Sequence, residues 1–460
     1  MEVATGAGEM STKVTCYGGV GEIGGNKILL EDRGTKVFLD FGTGFAEGSD
    51  YFDSWIKPRG VNGAGDLFEF GVLPEIQGLY SEPSLQNTGL KYASPEIDAV
   101  VLSHYHWDHA GRIGYVDPKI PVYCGKTTAL IHEAYRVTGG SALKGHELRT
   151  FRTGDRFSIG GIDFQPVHVD HSVPGAYGFV IYTSSGPLAY TGDFRFHGPA
   201  GEMTEDFVRA ATASRPAVLL SEGTRVGEGK DAGLNTSESE VLSEARRMVK
   251  ESKKLVFSTF RGNDTDRINT FDRAARASGR TLVVSMKTAV MLEALSKDGK
   301  LTVPKVGKDV SVYVRRKKSG SLDDSDYYAW ERRFLDEGLD AQEVRKRQGE
   351  IFLHLETSNF PELIDIKPEQ GGTYIHSATE AFNEEGERED ALVRNWVDHL
   401  GFSYHQLHAS GHAPMEEVAR LVNQIRPKRV VPIHTEDPDR FGTFSKGTVD
   451  VPAKGIAIAV

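Results

Sequence analysis

The chain has 460 residues, 39% hydrophobic and 26% charged, which allows two or three globular domains and excludes wholesale disorder. No apolar run approaches the ~20 residues of a membrane helix, and the two cysteines, Cys16 and Cys124, exclude a disulfide framework or a Cys-rich zinc ribbon. With 54 basic against 65 acidic residues, a formal charge of −11, the chain is no nonspecific coat for nucleic acid, although an enzyme with one local cleft remains open.

Met1 to Met10 has neither a basic flank nor an apolar core, so it reads as a frayed tail rather than a signal peptide. A reducing, cytoplasmic setting without a membrane partner is expected. From Lys13 to about Ser221, short β-branched or alternating runs are broken by Gly, Pro and Asp. They are Lys13–Cys16, Lys27–Leu30, Lys36–Leu39, Ala99–Leu102, Pro121–Tyr123, Ile162–Val167, Phe179–Thr183 and Ala217–Leu220. Such a run of strands predicts a β-rich, layered domain. About Gly227 the period changes: Ser237 and Glu240 form a capping box, and Val241, Ala245, Met248 and Val249 recur at helical spacing. A strand at Leu255–Phe257, a helix carrying Ile268, Phe271 and Ala275 and a strand at Leu282–Val284 read as a parallel α/β module. The charged stretch Lys300–Gln348 is expected to cover its surface. Tyr404–Leu407, a helix from Pro414 to Ile425 and a strand Val430–Ile433 return to the first style. Residues 11–226 and 406–460 are therefore expected to form one domain, with 227–405 inserted into it.

The densest chemistry is His104-Tyr105-His106-Trp107-Asp108-His109, directly after the apolar run Ala99–Leu102. A strand ending in a turn presents several side chains to one point, and His and Asp suit zinc and similar divalent ions. Four donors this close cannot surround one tetrahedral ion, so two ions with further donors from other strand ends are expected. Two ions ~3.5–4 Å apart lower the pKa of water and supply a nucleophile. His171, Asp193 and His434 each follow a strand. A lone His there is ordinarily a loop residue, but together they complete a set: His104, His106 and His171 for one ion, Asp108, His109 and His434 for the other, and Asp193 bridging. Asp40 would orient a ligating His through its second ring nitrogen, or is a turn residue before Gly42.

Asp40, the His-x-His-x-Asp-His block, His171 and Asp193 resemble the metallo-β-lactamase family. Glu222 in Ser-Glu-Gly-Thr, His412 in Ser-Gly-His-Ala and His434 in Pro-Ile-His resemble the motifs of its nucleic-acid-processing β-CASP branch. Within that branch, Gly18-Gly19-Val20-Gly21-Glu22-Ile23-Gly24-Gly25-Asn26, His171-Ser172-Val173-Pro174, Thr191-Gly192-Asp193-Phe194 and His408-Ala409-Ser410-Gly411-His412-Ala413 are similar to ribonuclease J. Glu222, where that family usually carries Asp, and Thr435, where it usually carries Gly, depart from the pattern. The resemblance implies an α/β fold, an αββα metallo-β-lactamase sandwich with an inserted Rossmann-like β-CASP domain. It also implies a ribonuclease with two divalent ions, zinc or alternatively manganese, that acts on single-stranded RNA as a 5′→3′ exonuclease, an endonuclease or both. Homodimer formation stays open.

Phosphodiester hydrolysis needs a proton for the leaving oxygen. His412 is suited to deliver it and Glu222 to orient and charge the ring, with Asp108 as the third catalytic residue. His412 is otherwise a plain helix-start residue. With Pro414 taken as the first helical residue, Ser410, Gly411 and His412 would lie at a helix N-terminus, ready for a phosphate. The glycine loop 18–26 could bring backbone close to the metal site or to RNA. His168, His405 and His408 read as strand or supporting residues. The basic runs Arg315–Lys318, Arg345–Arg347 and Arg426 with Lys428 and Arg429 read as solvated faces. Two other readings are a small-molecule metallohydrolase acting on thioesters or lactones, which leaves His412 and the insertion without a task, and a noncatalytic scaffold subunit, which would be expected to have lost ligands.

Overall fold

Along the first strand, Lys13–Gly18, Val14 and Cys16 turn to one sheet face and Thr15 and Tyr17 to the other, the period of two that a strand imposes. In the computed structural model, which describes residues 11–53, 55–143, 145–227, 235–379 and 384–460, this alternation builds two facing sheets. The ten residues read above as a tail lie outside the described residues.

The first sheet has the order Ala457–Ala459, Lys13–Gly18, Lys27–Asp32, Thr35–Phe41, Ala99–Val101, Val122–Gly125, Leu148–Phe151. The second runs Thr448–Val449, Arg429–Ile433, Val218–Glu222, Gly186–Tyr190, Tyr177–Thr183, Ile162–His168, Phe157–Ile159. Ile28, Leu30, Val37, Leu39 and Val101 of one sheet meet Phe164, Phe179, Ile181, Leu188, Leu220 and Val431 of the other. Each fully buried side chain of this kind contributes ~1.5–3 kcal/mol. On the outer faces, helix Lys126–Thr138 covers the first sheet through Ile131 and Ala134. Helices Gly201–Ser214 and Met415–Ile425 cover the second through Phe207, Ala211, Leu421 and Ile425. The result is the αββα metallo-β-lactamase sandwich.

A third sheet has the order Val310–Tyr313, Thr281–Ser285, Ile351–His354, Val256–Thr259, Thr373–His376, Ser403–Gln406, and every neighbouring pair is parallel. Helices Glu238–Glu251, Thr265–Ala277 and Met286–Leu295 pack on one face. Ala341–Lys346, Glu362–Ile366 and Glu384–His399 pack on the other. Parallel strands need such crossovers, which bury both faces. Ser237 caps the first of these helices, and its capping box with Glu240 is formed.

Three expectations need correction. The run Tyr404–Leu407, read with the terminal stretch, forms strand Ser403–Gln406 at the edge of the parallel sheet, paired with Thr373–His376. The stretch Lys300–Gln348 does not only cover the surface: it supplies the edge strand Val310–Tyr313 and buries Tyr327, Phe334 and Val344. Four strand residues among lysines and arginines are too short a run to stand out by period. Helix Met415–Ile425 starts one residue later than read, with Pro414 as its N-cap. Cys16 and Cys124 are both free and buried, and burial pushes each thiol up to about 12. Among the described residues no helix is long and apolar enough to cross a membrane.

Candidate metal centre

The site forms where strands of both sandwich sheets end. His104 and His106 follow strand Ala99–Val101, and Asp108 and His109 lie in the short helix Trp107–Ala110. Asp40 sits near the end of Thr35–Phe41 and His434 directly after Arg429–Ile433, with left-handed φ angles of 58° and 54°. Backbone strain of this sort persists where surrounding contacts hold it in place. His171, Asp193 and Glu222 come from the ends of three strands of the second sheet. His412 comes from the loop before Met415–Ile425.

These residues converge. His104, His106, His171 and Asp193 each offer one donor atom within 4.8 Å of the others, as do Asp108, His109, Asp193 and His434, so the two groups share Asp193. His106 Nδ1 lies 3.1 Å from His104 Nε2 and 3.0 Å from His171 Nε2. Asp193 Oδ2 is 3.0 Å from His109 Nε2 and 3.7 Å from His434 Nε2, which is 3.1 Å from Asp108 Oδ2.

Hydrogen bonds at the far side of each ring decide which nitrogen faces inward. His171 Nδ1–H donates to the carbonyl of Gly411 at 2.6 Å and His109 Nδ1–H to Asp40 Oδ2 at 2.7 Å. The Ser103 hydroxyl donates to Asp40 Oδ2 and therefore accepts from His104 Nδ1–H at 3.0 Å. The Thr224 hydroxyl donates to Glu222 Oε2 at 2.7 Å and accepts from His434 Nδ1–H at 2.8 Å. Four rings thus turn Nε2 toward the centre, the atom a cation would take. One proton on His106 Nδ1 cannot serve both His104 Nε2 and His171 Nε2, so at least one pair of lone pairs about 3 Å apart is opposed unless a cation joins them. Asp193 Oδ1 is buried with no hydrogen-bond partner, a further open donor. The donor set fits divalent cations.

Electrostatics agree for three rings and differ for His109: burial opposes its charge, but Asp193, Asp40 and Asp108 outweigh burial and raise its pKa well above the ordinary value, so that a cation would displace its Nε2 proton. Burial, then the neighbouring His109, holds His104 well below its ordinary pKa, and burial, then His106, does the same for His171. Burial followed by the charge of Arg261 brings His106 down to about 3. All three rings are neutral, the form that binds cations. Burial opposes charge on Asp193, but His109 and His434 outweigh it and keep the carboxylate ionised.

Beside this centre His412 Nδ1 lies 3.1 Å from both oxygens of Glu222 and 3.9 Å from Asp193 Oδ2. Burial disfavours its charge, yet Glu222 and then Asp193 raise its pKa to about 8. Glu222 is itself held by the Phe194 amide at 2.9 Å and by Thr224. Ser410 is tied down: its carbonyl accepts from Arg195 Nη1 and from His197 Nε2, each at 3.0 Å. A Cβ on Gly411 would lie 3.0 Å from His171 Cε1, so glycine lets this loop close over the ring. Ser410, Gly411 and His412 precede the helix by several residues and form part of the loop itself.

The structure brings the candidate residues read from sequence into one place. The glycine loop 18–26 reaches it as well: Gly24, at φ 78°, has room for no Cβ beside Asp108, and the Gly25 amide donates to the Asp108 carbonyl at 3.0 Å. His168 ends a strand and pairs with Thr153, His408 contacts Arg267, and His405 is on strand Ser403–Gln406. Within the basic runs, Arg316 pairs with Asp365, Lys317 with Glu331 and Arg347 with Glu350. Ser103, Thr224, Arg195 and Tyr190, whose hydroxyl donates to Asp40 Oδ2, were given no role by the sequence. Ser103 is adjacent to His104 and Thr224 closes the Ser-Glu-Gly-Thr run, so both could have been suspected; Tyr190 and Arg195 carry no local signal.

Comparison with known proteins agrees with this geometry. The profile of the Beta-lactamase superfamily domain matches residues 73–249, and that of the Zn-dependent metallo-hydrolase RNA specificity domain matches residues 402–440. The chain is similar to ribonuclease J of Mycoplasma genitalium, at 25% identity over 93% of this chain and 68% of that protein. It is likewise similar to ribonuclease J of Helicobacter pylori strain 26695, at 22% over 93% and 56%, and of Mycobacterium tuberculosis, at 27% over 97% and 73%. The chain thus spans little more than half of the Helicobacter protein and about two thirds of the Mycoplasma one. In fold it is similar to a crystal structure of an Enterococcus faecalis V583 protein of unknown function, with a TM-score of 0.75 and 22% identity over 98% of this chain and 100% of that one.

Proposed function

We propose that this metallo-β-lactamase-fold chain, similar to ribonuclease J, is a metal-dependent ribonuclease that hydrolyses phosphodiester bonds with two divalent ions. The observation that carries the reading is the inward convergence of His104, His106, His171, Asp108, His109 and His434 on the shared Asp193, with the His412–Glu222 pair beside them. The matched RNA specificity profile, which spans His412 and His434, supports RNA as substrate class. The first three histidines with Asp193 would hold one ion, and Asp108, His109 and His434 with Asp193 the other. Zinc is the proposed ion, with manganese as alternative. Bound there, the ions would supply Lewis acidity toward the phosphate and lower the pKa of water.

The chain's own residues do the rest. Asp40 receives the Nδ1 proton of His109 and the Ser103 hydroxyl, so one carboxylate fixes two rings of the centre. Glu222 accepts from His412 Nδ1–H and keeps the imidazolium charged near neutral pH, leaving Nε2–H to protonate the leaving oxygen. Ser410, Gly411 and His412 are the proposed phosphate contacts. The reading takes 11–226 with 406–460 as the catalytic domain and 227–405 as the inserted β-CASP domain. It extends to single-stranded RNA, a cytoplasmic setting and a homodimer, the last checked by sedimentation.

The test is metal analysis with cleavage of 5′-labelled RNA bearing a monophosphate or triphosphate end. Two ions per chain and RNA cleavage that is lost in Asp108→Ala and His412→Ala are expected. Immediate release of mononucleotides from the monophosphate form identifies exonuclease action, and internal fragments endonuclease action. Cleavage that survives both substitutions overturns the assignment of roles.

A further inference from the structure

Residues 409–413, the segment that presents His412, belong to neither a helix nor a strand, so no backbone ladder sets their course. Their carbonyls are instead captured one after another by side chains. Ala409 accepts from Arg267 Nη2 at 3.5 Å, and Ser410 from Arg195 Nη1 and His197 Nε2 at 3.0 Å each. Gly411 accepts from His171 Nδ1 at 2.6 Å and His412 from Arg225 Nη1 at 3.3 Å. The Ala413 amide donates to the Phe194 carbonyl at 2.8 Å. Where His412 stands therefore depends on where these donors stand.

Arg195 is held on every side. It is fully buried, its amide donates to the Asp170 carbonyl at 2.8 Å, and its carbonyl accepts from the Thr204 hydroxyl at 2.7 Å. Each arm of the guanidinium has its own acceptor: Nε on Asp170 Oδ1 at 3.1 Å, Nη1 on the Ser410 carbonyl and Nη2 on Asp266 Oδ2 at 2.7 Å. Asp170 Oδ2 is taken by the Ala200 amide at 3.2 Å, and a Cβ on Gly198 would collide with Arg195 Nε and Asp170 Oδ2, so the loop closes tightly over the pair. Asp170 directly precedes His171, and Asp266 belongs to helix Thr265–Ala277 of the parallel-sheet module. One planar group thus joins the strand end carrying His171, the loop carrying His412 and the module. Asp170 suffices to neutralise a buried guanidinium; the arm on Ser410 goes to an uncharged carbonyl two residues before His412.

We infer that Arg195 is a positioning residue for the proton donor: by fixing the Ser410 carbonyl it sets where His412 Nε2 meets the leaving oxygen. It acts through His412 rather than on the substrate. The inference rests on the ribonuclease reading and adds to it a residue outside the His412–Glu222 pair. Proton transfer to a departing oxygen tolerates little displacement, and about 1 Å of misplacement costs on the order of 10²-fold in rate. The ammonium of a lysine keeps Asp170 paired but has no fork with which to reach three acceptors.

Two RNAs of one sequence test it, one with oxygen and one with a bridging sulfur at the leaving position, each cleaved by the metal-loaded protein. A departing thiolate needs no proton, so the sulfur RNA bypasses His412. Arg195→Lys is expected to lower kcat on the oxygen RNA about 10- to 100-fold with KM and metal content retained, and to leave the sulfur RNA near the parent rate. His197→Ala removes the second donor to the same carbonyl and leaves Asp170 paired; a smaller loss with the same preference for sulfur is expected. In the His412→Ala background, Arg195→Lys is expected to add no further loss. If Arg195→Lys cleaves both RNAs at the parent rate, or loses both in equal proportion, the inference is overturned and the ribonuclease reading stands. Should Arg195→Lys fail to fold, His197→Ala decides by the same criterion. A parent that cleaves neither RNA overturns the ribonuclease reading and the inference with it.

Discussion

The sandwich and the parallel sheet both bury ionisable residues, but they treat them differently. In the parallel-sheet region Arg267 is fully buried and matched to Glu238 through two contacts of 3.1 Å, and Arg280 is matched to the carbonyls of Ser252, Gln348 and Ile351. His354 there is a lone neutral ring, lowered to about 4 by burial and stacked on Phe260, with Nε2 on the Phe260 carbonyl and Nδ1 unpartnered, and among the described residues no second donor group faces it. At the sandwich edge five imidazoles and two carboxylates share one buried volume, with donor atoms of several rings facing one another. Closed pairs serve the fold. An excess of inward donors serves a cation, and the contrast separates structural polarity from functional polarity without reference to any relative.

That contrast can be broken or sharpened by substitution. The largest effect is expected from Asp193→Ala, which removes the donor shared by both groups: RNA cleavage should fall by at least about 10³-fold, and mass spectrometry under native conditions should record lost metal. Next, His412→Ala should lower the cleavage rate about 10²- to 10⁴-fold with metal content retained. The pH profile carries the sign: a pKa raised to about 8 keeps His412 protonated below that value, so wild-type activity should decline as pH rises through about 8, a limb absent from the variant.

On the parallel-sheet side, Arg267→Met leaves Glu238 buried without its partner. It should cost roughly 3–5 kcal/mol of stability, read from the denaturation midpoint. Thr224→Val removes the hydroxyl between Glu222 and His434 and should reduce metal affinity about 10- to 100-fold at nearly unchanged melting temperature. The smallest effect belongs to the surface: Lys346→Ala breaks an exposed pair with Glu343 and should change stability by less than about 1 kcal/mol. An equal cost for Arg267→Met and Lys346→Ala in chemical denaturation would remove the distinction between the two kinds of polar group.

Much of the architecture was legible before any coordinates. The strands of the sandwich announce themselves by alternation, and the helix after Ser237 by its capping box, because both are local patterns. The edge strand Val310–Tyr313 was not legible, since its four residues sit in a charged stretch and are held by pairing with Thr281–Ser285. The start of helix Met415–Ile425 was misplaced by one residue because proline serves equally at the cap and at the first helical position.

For the candidate site, the chain by itself determined the donor chemistry: histidine and aspartate clustered after one strand and repeated singly after others. Tertiary structure alone decided how those donors are aimed. The His171–Gly411 bond spans 240 positions and the Thr224–His434 bond 210. Residue type sets which atoms are able to bind a cation, and it is written locally. Ring orientation and protonation depend on neighbours that only the folded chain brings together.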